Sequence, residues 1–201
     1  SKEGREIILI GHAGHPEVIG TLGQFENEKI SLIETVNDAE EFTPHDPNKI
    51  AYATQTTLAV DDTKEIVDVL KRRFPNIAEP HKDDICYATT NRQAAVKAIA
   101  KRCNAIIVIG AQNSSNSVRL VEVAKKSGCP QATLVANRDQ MNWEQLEGIS
   151  TLGLTAGASA PEILVQEILS ALREKYIVEL EEIIVTTEDV HFRLPRVLES
   201  Y

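Results

Sequence analysis

The sequence predicts an α/β fold of two similar small domains, each a parallel sheet flanked by helices, and three observations support this prediction. Short apolar runs alternate with polar loops and amphipathic stretches, which is the pattern of βαβ units. The 201 residues are 42% apolar and 25% charged, which is enough for the cores of one large or two ordinary domains. A polar break at residues 80–84 divides the chain, so we expect domains over residues 1–82 and 83–175 and a tail over 176–201.

Five apolar runs are typical of buried strands. They cover residues 6–10, 49–53, 105–109, 131–135 and 149–154, and each leads into a polar loop. In a parallel sheet the loops that follow the strands lie on one edge. A binding site is therefore expected among these loops.

Helices are expected after the loops. A Ser, Thr or Asp followed three residues later by Glu or Gln indicates a capping box at a helix start. This pattern occurs at Asp62 with Glu65, at Thr90 with Gln93 and at Ser159 with Glu162. A further amphipathic stretch covers about residues 117–126.

The tail breaks the alternation of strands and helices. Residues 182–185 and 190–194 have strand character, but no helix follows to cover them. We expect this tail to pair with a segment outside the chain.

Charge and composition exclude two classes of protein. With 21 basic and 30 acidic residues the net charge is −9, which argues against a protein that grips nucleic acid by its phosphates. No apolar run approaches the about 18 residues of a membrane span. No signal peptide is visible, and three cysteines without a CxxC pair match neither a disulfide framework nor a zinc site, so a reducing cytoplasm is expected.

Neutral hydrogen-bond donors dominate the loops. The strings TQTT, NSSNS and TAGAS place hydroxyl and amide groups just ahead of predicted helices, where free backbone N–H groups and the helix dipole favour anions. Such loops can bind a phosphate or diphosphate without Lys or Arg. For any one loop, ordinary helix capping by the same residues is the alternative.

A second group of loop residues can titrate or bind metal. His12 and His15 have the spacing H-x-x-H, which is found in metal sites and more often in polar loops. Glu17 near an imidazole and threonine hydroxyls is a reasonable proton relay, with a solvated surface glutamate as the alternative. Asp61 and Asp62 are typical of helix-start carboxylates and not of a catalytic pair.

The three cysteines differ in their predicted positions. Cys86 lies just before a helix start, on the same edge as the polar loops, whereas Cys103 and Cys129 each precede a strand and so belong to the opposite edge. A single thiolate at the site could be a nucleophile of an acyl or phosphoryl transferase, or one ligand of a metal cluster. No basic residue is placed to activate the thiol, which disfavours the nucleophile.

Six strings, in this order and at these spacings, resemble a single family: GHPEVIGTLGQ, TQTTLAVDDT, DDICYATTNRQ, NSSNSVRL, TAGASAPE and VHFRLP. They are similar to the IspH/LytB family of 4-hydroxy-3-methylbut-2-enyl diphosphate reductases, iron–sulfur enzymes at the end of the methylerythritol phosphate route to isoprenoids. The resemblance covers nearly the whole chain. It implies three similar α/β domains around a central cluster, of which this chain would hold most of the second, all of the third, and the tail that returns to the first.

The resemblance implies a two-electron reductive dehydration of the allylic alcohol diphosphate to isopentenyl and dimethylallyl diphosphate. It also implies a 4Fe–4S cluster held by three cysteines, of which Cys86 resembles the third. Glu17 resembles the proton donor, working with Thr56, and His15 resembles a histidine that contacts the substrate and its diphosphate. The residues that resemble the diphosphate cradle are Ser114, Ser115, Asn116 and Ser159.

The chain departs from the family's pattern on its N-terminal side. The family's first two cluster cysteines and two further substrate-binding histidines lie N-terminal to the region present here. One cysteine does not hold a 4Fe–4S cluster securely, so we expect this chain alone to lack the cluster and to be inactive. The alternative function is that of a cluster-free α/β module that binds phosphate or diphosphate. For the parent enzyme the resemblance implies ferredoxin or flavodoxin as electron donor, and the bacterial cytoplasm or the plastid stroma as location.

Overall fold

The structure, a computed structural model, describes residues 3–25, 30–80 and 84–188. These residues form two three-stranded sheets, both parallel throughout and flanked by helices. The predicted α/β class with two similar units is confirmed. The domain limits 1–82, 83–175 and 176–201 stay predictions.

The first sheet has the strand order β2-β1-β3. Its unit contains, in chain order, β1 (Glu6–Ile10), α1 (Pro16–Leu22), β2 (Ile30–Ile33), α2 (Val36–Glu41), β3 (Ile50–Thr54) and α3 (Val60–Arg73). Ile8 and Ile10 of the central strand pack in one apolar cluster with Ile50 of β3 and Leu70 of α3. Branched aliphatic side chains suit such a strand because they pack well on a pleated surface.

The second sheet has the corresponding order β5-β4-β6. Its unit contains α4 (Tyr87–Ala100), β4 (Ala105–Ile109), α5 (Ser115–Lys126), β5 (Ala132–Val135), two short 3-10 turns (Arg138–Gln140 and Glu144–Leu146), β6 (Leu152–Ala156) and α6 (Glu162–Lys175). Ile106 of β4 packs with Leu120 of α5, whereas Ile107 packs with Ile168 of α6 on the other face. All five residues of β4 are buried, which is why its sequence is apolar without alternation.

Both sheets have the same switch in strand order. The first strand of each unit is central, and the next two strands lie on either side of it. Ligands of open parallel sheets bind outside the carboxyl ends of the strands where the order reverses in this way. We call this side of the molecule the loop edge; it comprises residues 11–15 and 55–59 of the first unit and 110–117 and 157–161 of the second.

The strand predicted over residues 149–154 begins instead at Leu152 and continues to Ala156. Asn104 explains the late start, because its Oδ1 accepts hydrogen bonds from the Ser150 hydroxyl (2.9 Å) and the Thr151 N–H (3.0 Å). These bonds hold residues 150–151 against Asn104, outside the strand.

Two other differences concern short or terminal segments. Three short elements are absent from the prediction because they are too short to show a periodicity: α1, β2 and α2, of seven, four and six residues. Residues 182–185 form no strand. The predicted strand at 190–194 lies outside the described residues.

The predicted capping boxes are wrong. Helices α3, α4 and α6 begin directly after Ala59, Cys86 and Pro161, and none of these three residues makes a side-chain capping bond. The helix predicted from residue 117 begins at Ser115, because the Ser114 side chain caps it.

The segment after α6 has no regular secondary structure as far as residue 188. It lies beside α4, because Glu181 pairs with Arg102 (2.8 Å) and Glu188 accepts a hydrogen bond from Asn91 (3.0 Å). No helix in the described ranges combines the length and the apolar character of a membrane-spanning segment.

The close approach of α5 to β4 requires glycine at position 110. A Cβ atom added there would lie 2.2 Å from Oγ and 2.7 Å from Cβ of the fully buried Ser117. We therefore expect Gly110→Ala to lower the free energy of unfolding by about 1–3 kcal/mol through overpacking, measured by urea denaturation. Gly20→Ala is the matched control: an added Cβ at this helical position would have no atom within 4 Å, so it should be neutral or stabilising. Equal effects of the two substitutions would contradict this account of the loop edge.

Candidate functional site

Glu17, in the first turn of α1, meets Thr56 of the loop edge, although 39 residues separate them in the chain. The Thr56 N–H donates to Glu17 Oε1 at 3.0 Å, and the Thr56 hydroxyl lies 3.0 Å from Glu17 Oε2. The pair is half-buried. The Thr56 hydroxyl donates to the Glu17 carboxylate, and a protonated Glu17 can donate to the hydroxyl oxygen in return, so the pair can relay a proton.

His15 lies next to this pair, as the N-cap of α1. Its Nδ1 accepts a hydrogen bond from the Glu17 N–H at 3.2 Å. Because Nδ1 is the acceptor, the neutral imidazole carries its proton on Nε2. His15 therefore has an N–H donor left for a ligand.

The string NSSNS forms the start of α5. The Ser114 Oγ accepts hydrogen bonds from the N–H (3.4 Å) and the hydroxyl (3.0 Å) of Ser117, so this serine is a helix cap. Ser115 and Asn116 occupy the first two helical positions. Backbone N–H groups at such positions have no partner within the helix and favour an anion.

Asn116 is the most unusual polar group at the loop edge. Its side chain is buried with 7% relative exposure, yet neither Oδ1 nor Nδ2 has a hydrogen-bond partner among the described residues. Leaving a buried amide unpaired costs about 1–3 kcal/mol. Such an amide is expected where a ligand completes the hydrogen bonding.

The turn after β6 contributes Gly157 and Ser159. An added Cβ at Gly157 would lie 2.1 Å from the Ser117 Oγ, so this turn packs directly on the start of α5. Ser159 is exposed, and its hydroxyl makes no hydrogen bond to a described residue. The structure thus places Ser159 on the loop edge without a hydrogen bond to the other predicted cradle residues, all of which lie in the described part of the chain.

Hydroxyl and amide groups join the two units at this edge. The Thr57 Oγ1 lies 2.8 Å from the Ser115 Oγ, and the fully buried Gln55 donates from Nε2 to Thr57 (3.0 Å) and Ser115 (3.4 Å). The Gln55 Oε1 accepts the His12 N–H at 3.0 Å. The loops of both sheets therefore form one continuous polar surface.

A single arginine introduces positive charge beside this surface. Arg119 donates to His12 Nε2 and is paired with Glu122, and these residues line a cleft of about 420 Å³ together with His15, Gln112, Asn113, Ser115 and Val118. Burial and the positive charge of Arg119 lower the pKa of His12 below its ordinary value, against a smaller opposing effect of Glu34. The guanidinium occupies Nε2 of His12, and among the described residues no third His, Cys, Asp or Glu completes a metal-binding group with His12 and His15.

Cys86 is exposed at the start of α4, and its N–H donates to the Thr56 carbonyl oxygen at 3.1 Å. The backbone of Cys86 is thus adjacent to the Glu17–Thr56 pair. Cys103 and Cys129 lie before β4 and β5, at the opposite edge of the second sheet, and burial raises the pKa of both thiols.

The described residues do not complete a site for a 4Fe–4S cluster. Among them, no group of three or more His, Cys, Asp or Glu side chains could hold a metal ion. Cys86 can supply one thiolate, and the other two cysteines are too far from the loop edge to join it.

A sequence model of the LytB protein family matches residues 1–173. The chain belongs to the LytB family. It is 57% identical over 197 residues to "4-hydroxy-3-methylbut-2-enyl diphosphate reductase 2" of Rhodopseudomonas palustris, covering 98% of this chain and 62% of that protein. It is 58% identical over 194 residues to "4-hydroxy-3-methylbut-2-enyl diphosphate reductase" of Hyphomonas neptunium, covering 96% of this chain and 62% of the relative.

One solved structure of a similar protein has the same fold. It is "E-1-hydroxy-2-methyl-but-2-enyl-4-diphosphate reductase from Plasmodium falciparum", with a TM-score of 0.80 and 38% identity. The match covers 85% of this chain and 53% of that one. The LytB chain thus spans less than two thirds of the length of these relatives.

Gln55, Thr57 and Arg119 have no individual role in the sequence-based prediction. Gln55 and Thr57 belong to a loop that is polar throughout, and nothing in the string shows which side chains cross to the other unit. Arg119 carries a usable signal, since it lies four residues after Ser115 and therefore on the same face of the LytB chain's α5.

The lowered pKa of His12 makes stability depend on pH. Between about pH 6.5 and the lower folded-state pKa, the unfolded chain binds a proton at His12 that the folded chain does not, so stability falls as the pH falls through this range. We expect His12→Gln, which retains an acceptor for Arg119, to flatten this part of the stability curve of the LytB chain, measured by urea unfolding at several pH values. His45→Gln, at an exposed position, is the control. If the unfolding free energy of the His12→Gln variant changed with pH as steeply as that of the wild type, His12 would not be the group responsible.

Proposed function

We propose that the complete protein to which this chain belongs catalyses the reductive dehydration of 4-hydroxy-3-methylbut-2-enyl diphosphate to isopentenyl and dimethylallyl diphosphate. LytB membership and the names of the relatives support this substrate. The observation that carries the proposal is the contact of Glu17 with Thr56, two motif residues 39 positions apart, on the edge that also holds Asn116.

The diphosphate would bind across both units. The unpaired Asn116 amide, the Ser115 hydroxyl and the Nε2–H of His15 supply donors without a positive charge, and the start of α5 adds backbone N–H groups. Ser114 and Ser159 would contribute further hydroxyl contacts. This assignment suits a chain with a net charge of −9, because neutral donors can bind an anion without Lys or Arg.

Glu17 and Thr56 would transfer a proton to the substrate. The overall reaction takes up two electrons and two protons: the C–O bond of the allylic alcohol breaks, one proton leaves with the hydroxyl group as water, and the other is added to carbon. When Glu17 carries the proton, its carboxyl group would donate to Thr56 Oγ1 while the Thr56 hydroxyl passes its own proton to the substrate at this edge.

Cys86 would be one ligand of the 4Fe–4S cluster that the family uses to supply electrons. Its partner thiolates would come from outside the 201 residues, because Cys103 and Cys129 lie at the other edge. A ferredoxin or flavodoxin would reduce the complete protein, in the bacterial cytoplasm or the plastid stroma.

The complete gene product tests the proposed reaction. Purified without oxygen and supplied with a reduced viologen dye, it should convert the hydroxy diphosphate to the two isoprenoid diphosphates. Glu17→Gln should lower turnover by about 10²- to 10⁴-fold, because a general acid is lost. Glu65→Gln, on the exposed side of α3, should leave turnover unchanged. A wild-type gene product without this activity would overturn the proposal.

A second candidate function is a cluster-free diphosphate binder, favoured by the neutral donors of the loop edge and the lack of a metal-binding group among the described residues. The 201-residue chain distinguishes the two functions. A binder on its own should saturate with isopentenyl diphosphate at or below about 1 mM by calorimetry, whereas the visible absorption of an iron–sulfur cluster would exclude the cluster-free function.

The same titration tests the role of Asn116 in this chain. Asn116→Ala should weaken diphosphate binding by about 10-fold or more, because a buried hydrogen-bonding group to a charged ligand contributes about 1.5–3 kcal/mol. Asn76→Ala, an exposed asparagine at the far end of α3, is the control. Equal affinities of wild type and Asn116→Ala would remove Asn116 from the cradle.

A further inference from the structure

We propose that Gln93 is a positioning residue that fixes Cys86 relative to the Glu17–Thr56 pair, by capping helix α3 from helix α4. Its importance for the chemistry rests on the proposed function of Cys86, Glu17 and Thr56. The hydrogen bonds that it makes do not depend on that function.

The side-chain amide of Gln93 is buried, and both its oxygen and its nitrogen make hydrogen bonds. Its relative exposure is 1%, its Nε2 donates to the Leu58 carbonyl oxygen at 2.8 Å, and its Oε1 accepts the Val60 N–H at 3.0 Å. Val60 is the first residue of α3, and its N-cap, Ala59, has no side-chain acceptor. Gln93 therefore satisfies a free N–H at the start of a helix to which it does not belong.

The segment that Gln93 binds joins the two cores. Leu58 packs in the cluster of the first sheet, whereas Ala59 packs in the cluster of the second sheet beside Val96 of α4. Two further contacts between α3 and the second unit are exposed ion pairs, Lys97–Asp61 and Lys126–Asp62, each at 2.7 Å. Exposed ion pairs contribute little because water screens them, so the buried amide is the specific link.

Gln93 and Cys86 are two turns apart on α4, about 10 Å along the helix. At the N-terminal end of this helix the Cys86 N–H binds the Thr56 carbonyl oxygen, and Thr56 in turn binds both oxygens of Glu17. The segment from Thr56 to Val60 is thus fastened to α4 at two points. Loss of the Gln93 contact would weaken the attachment of α4 to this segment, and the Cys86–Thr56 hydrogen bond would open more often.

Amide hydrogen exchange of the 201-residue chain, followed by NMR without ligand, tests this inference. In Gln93→Met, which keeps the approximate volume, the protection of the Cys86 amide should fall at least about tenfold, together with that of Val60. Thr63→Val is the matched control: it removes another buried hydrogen bond at the start of α3, from the Thr63 hydroxyl to the Ala59 carbonyl oxygen (2.8 Å), without touching α4. It should change Cys86 protection by less than about twofold.

Gln93→Glu provides a rescue that a general loss of stability would not show. A protonated carboxyl group can replace both hydrogen bonds of the amide, whereas the ionised group cannot donate to Leu58. The Cys86 protection factor of this variant, relative to wild type at the same pH, should therefore recover as the pH is lowered from about 8 to about 5. If Gln93→Met does not fold, Gln93→Glu alone still tests the inference.

Two results would overturn the inference: Cys86 protection in Gln93→Met within twofold of wild type, or an equal loss in Thr63→Val. A Gln93→Glu variant without recovery at low pH would also count against it. Because no ligand is present, none of these outcomes depends on diphosphate binding, which is tested separately by the titrations above.

Discussion

The junction between the two sheets depends on buried hydrogen bonds from side chains, and the candidate site exists only because this junction holds the two loop regions together. Gln55 and Gln93 are among the most buried polar residues of the described chain, and each binds groups that lie far away in the sequence. An unpaired amide in these positions would be costly, so the two units have few alternative arrangements. Because the units are held in this arrangement, the hydroxyl groups of Thr57 and Ser115 lie 2.8 Å apart at the loop edge.

The chemistry at this edge follows from neutral donors more than from charge. Arg119 is largely neutralised by Glu122, and burial together with the charge of Arg119 lowers the pKa of His12. The attraction for an anion therefore comes from hydroxyl and amide groups and from the start of α5. Neutral donors favour an anion that fits the donor geometry, whereas a cluster of lysines would attract any anion.

The central parts of both sheets could be predicted from the sequence, and the contacts between the units could not. The runs at residues 6–10 and 105–109 coincide with β1 and β4, because buried parallel strands are apolar throughout and leave a clear signal. The short β2 leaves none. Helix starts were mispredicted because local Ser, Thr or Asp residues were expected to cap them, whereas α3 is capped by Gln93 from another helix, 33 residues further along the chain.

The candidate site shows the same division. The polar loops and their common edge follow from the alternation of strands and helices. The resemblance to the family motifs predicts that Glu17 works together with Thr56. The bridging roles of Gln55 and Thr57 follow from neither, because they depend on how one sheet packs against the other. Long-range hydrogen bonds of this kind have no local sequence pattern.

The central claim is that the loops of both sheets form one anion site, and NMR titration of the 201-residue chain with inorganic diphosphate tests it most directly. The account predicts that signals of His15 and Thr56 from the first unit, and of Ser115 and the Asn116 side-chain amide from the second, shift together with one common dissociation constant. Shifts confined to one unit, or different constants for the two units, would contradict it.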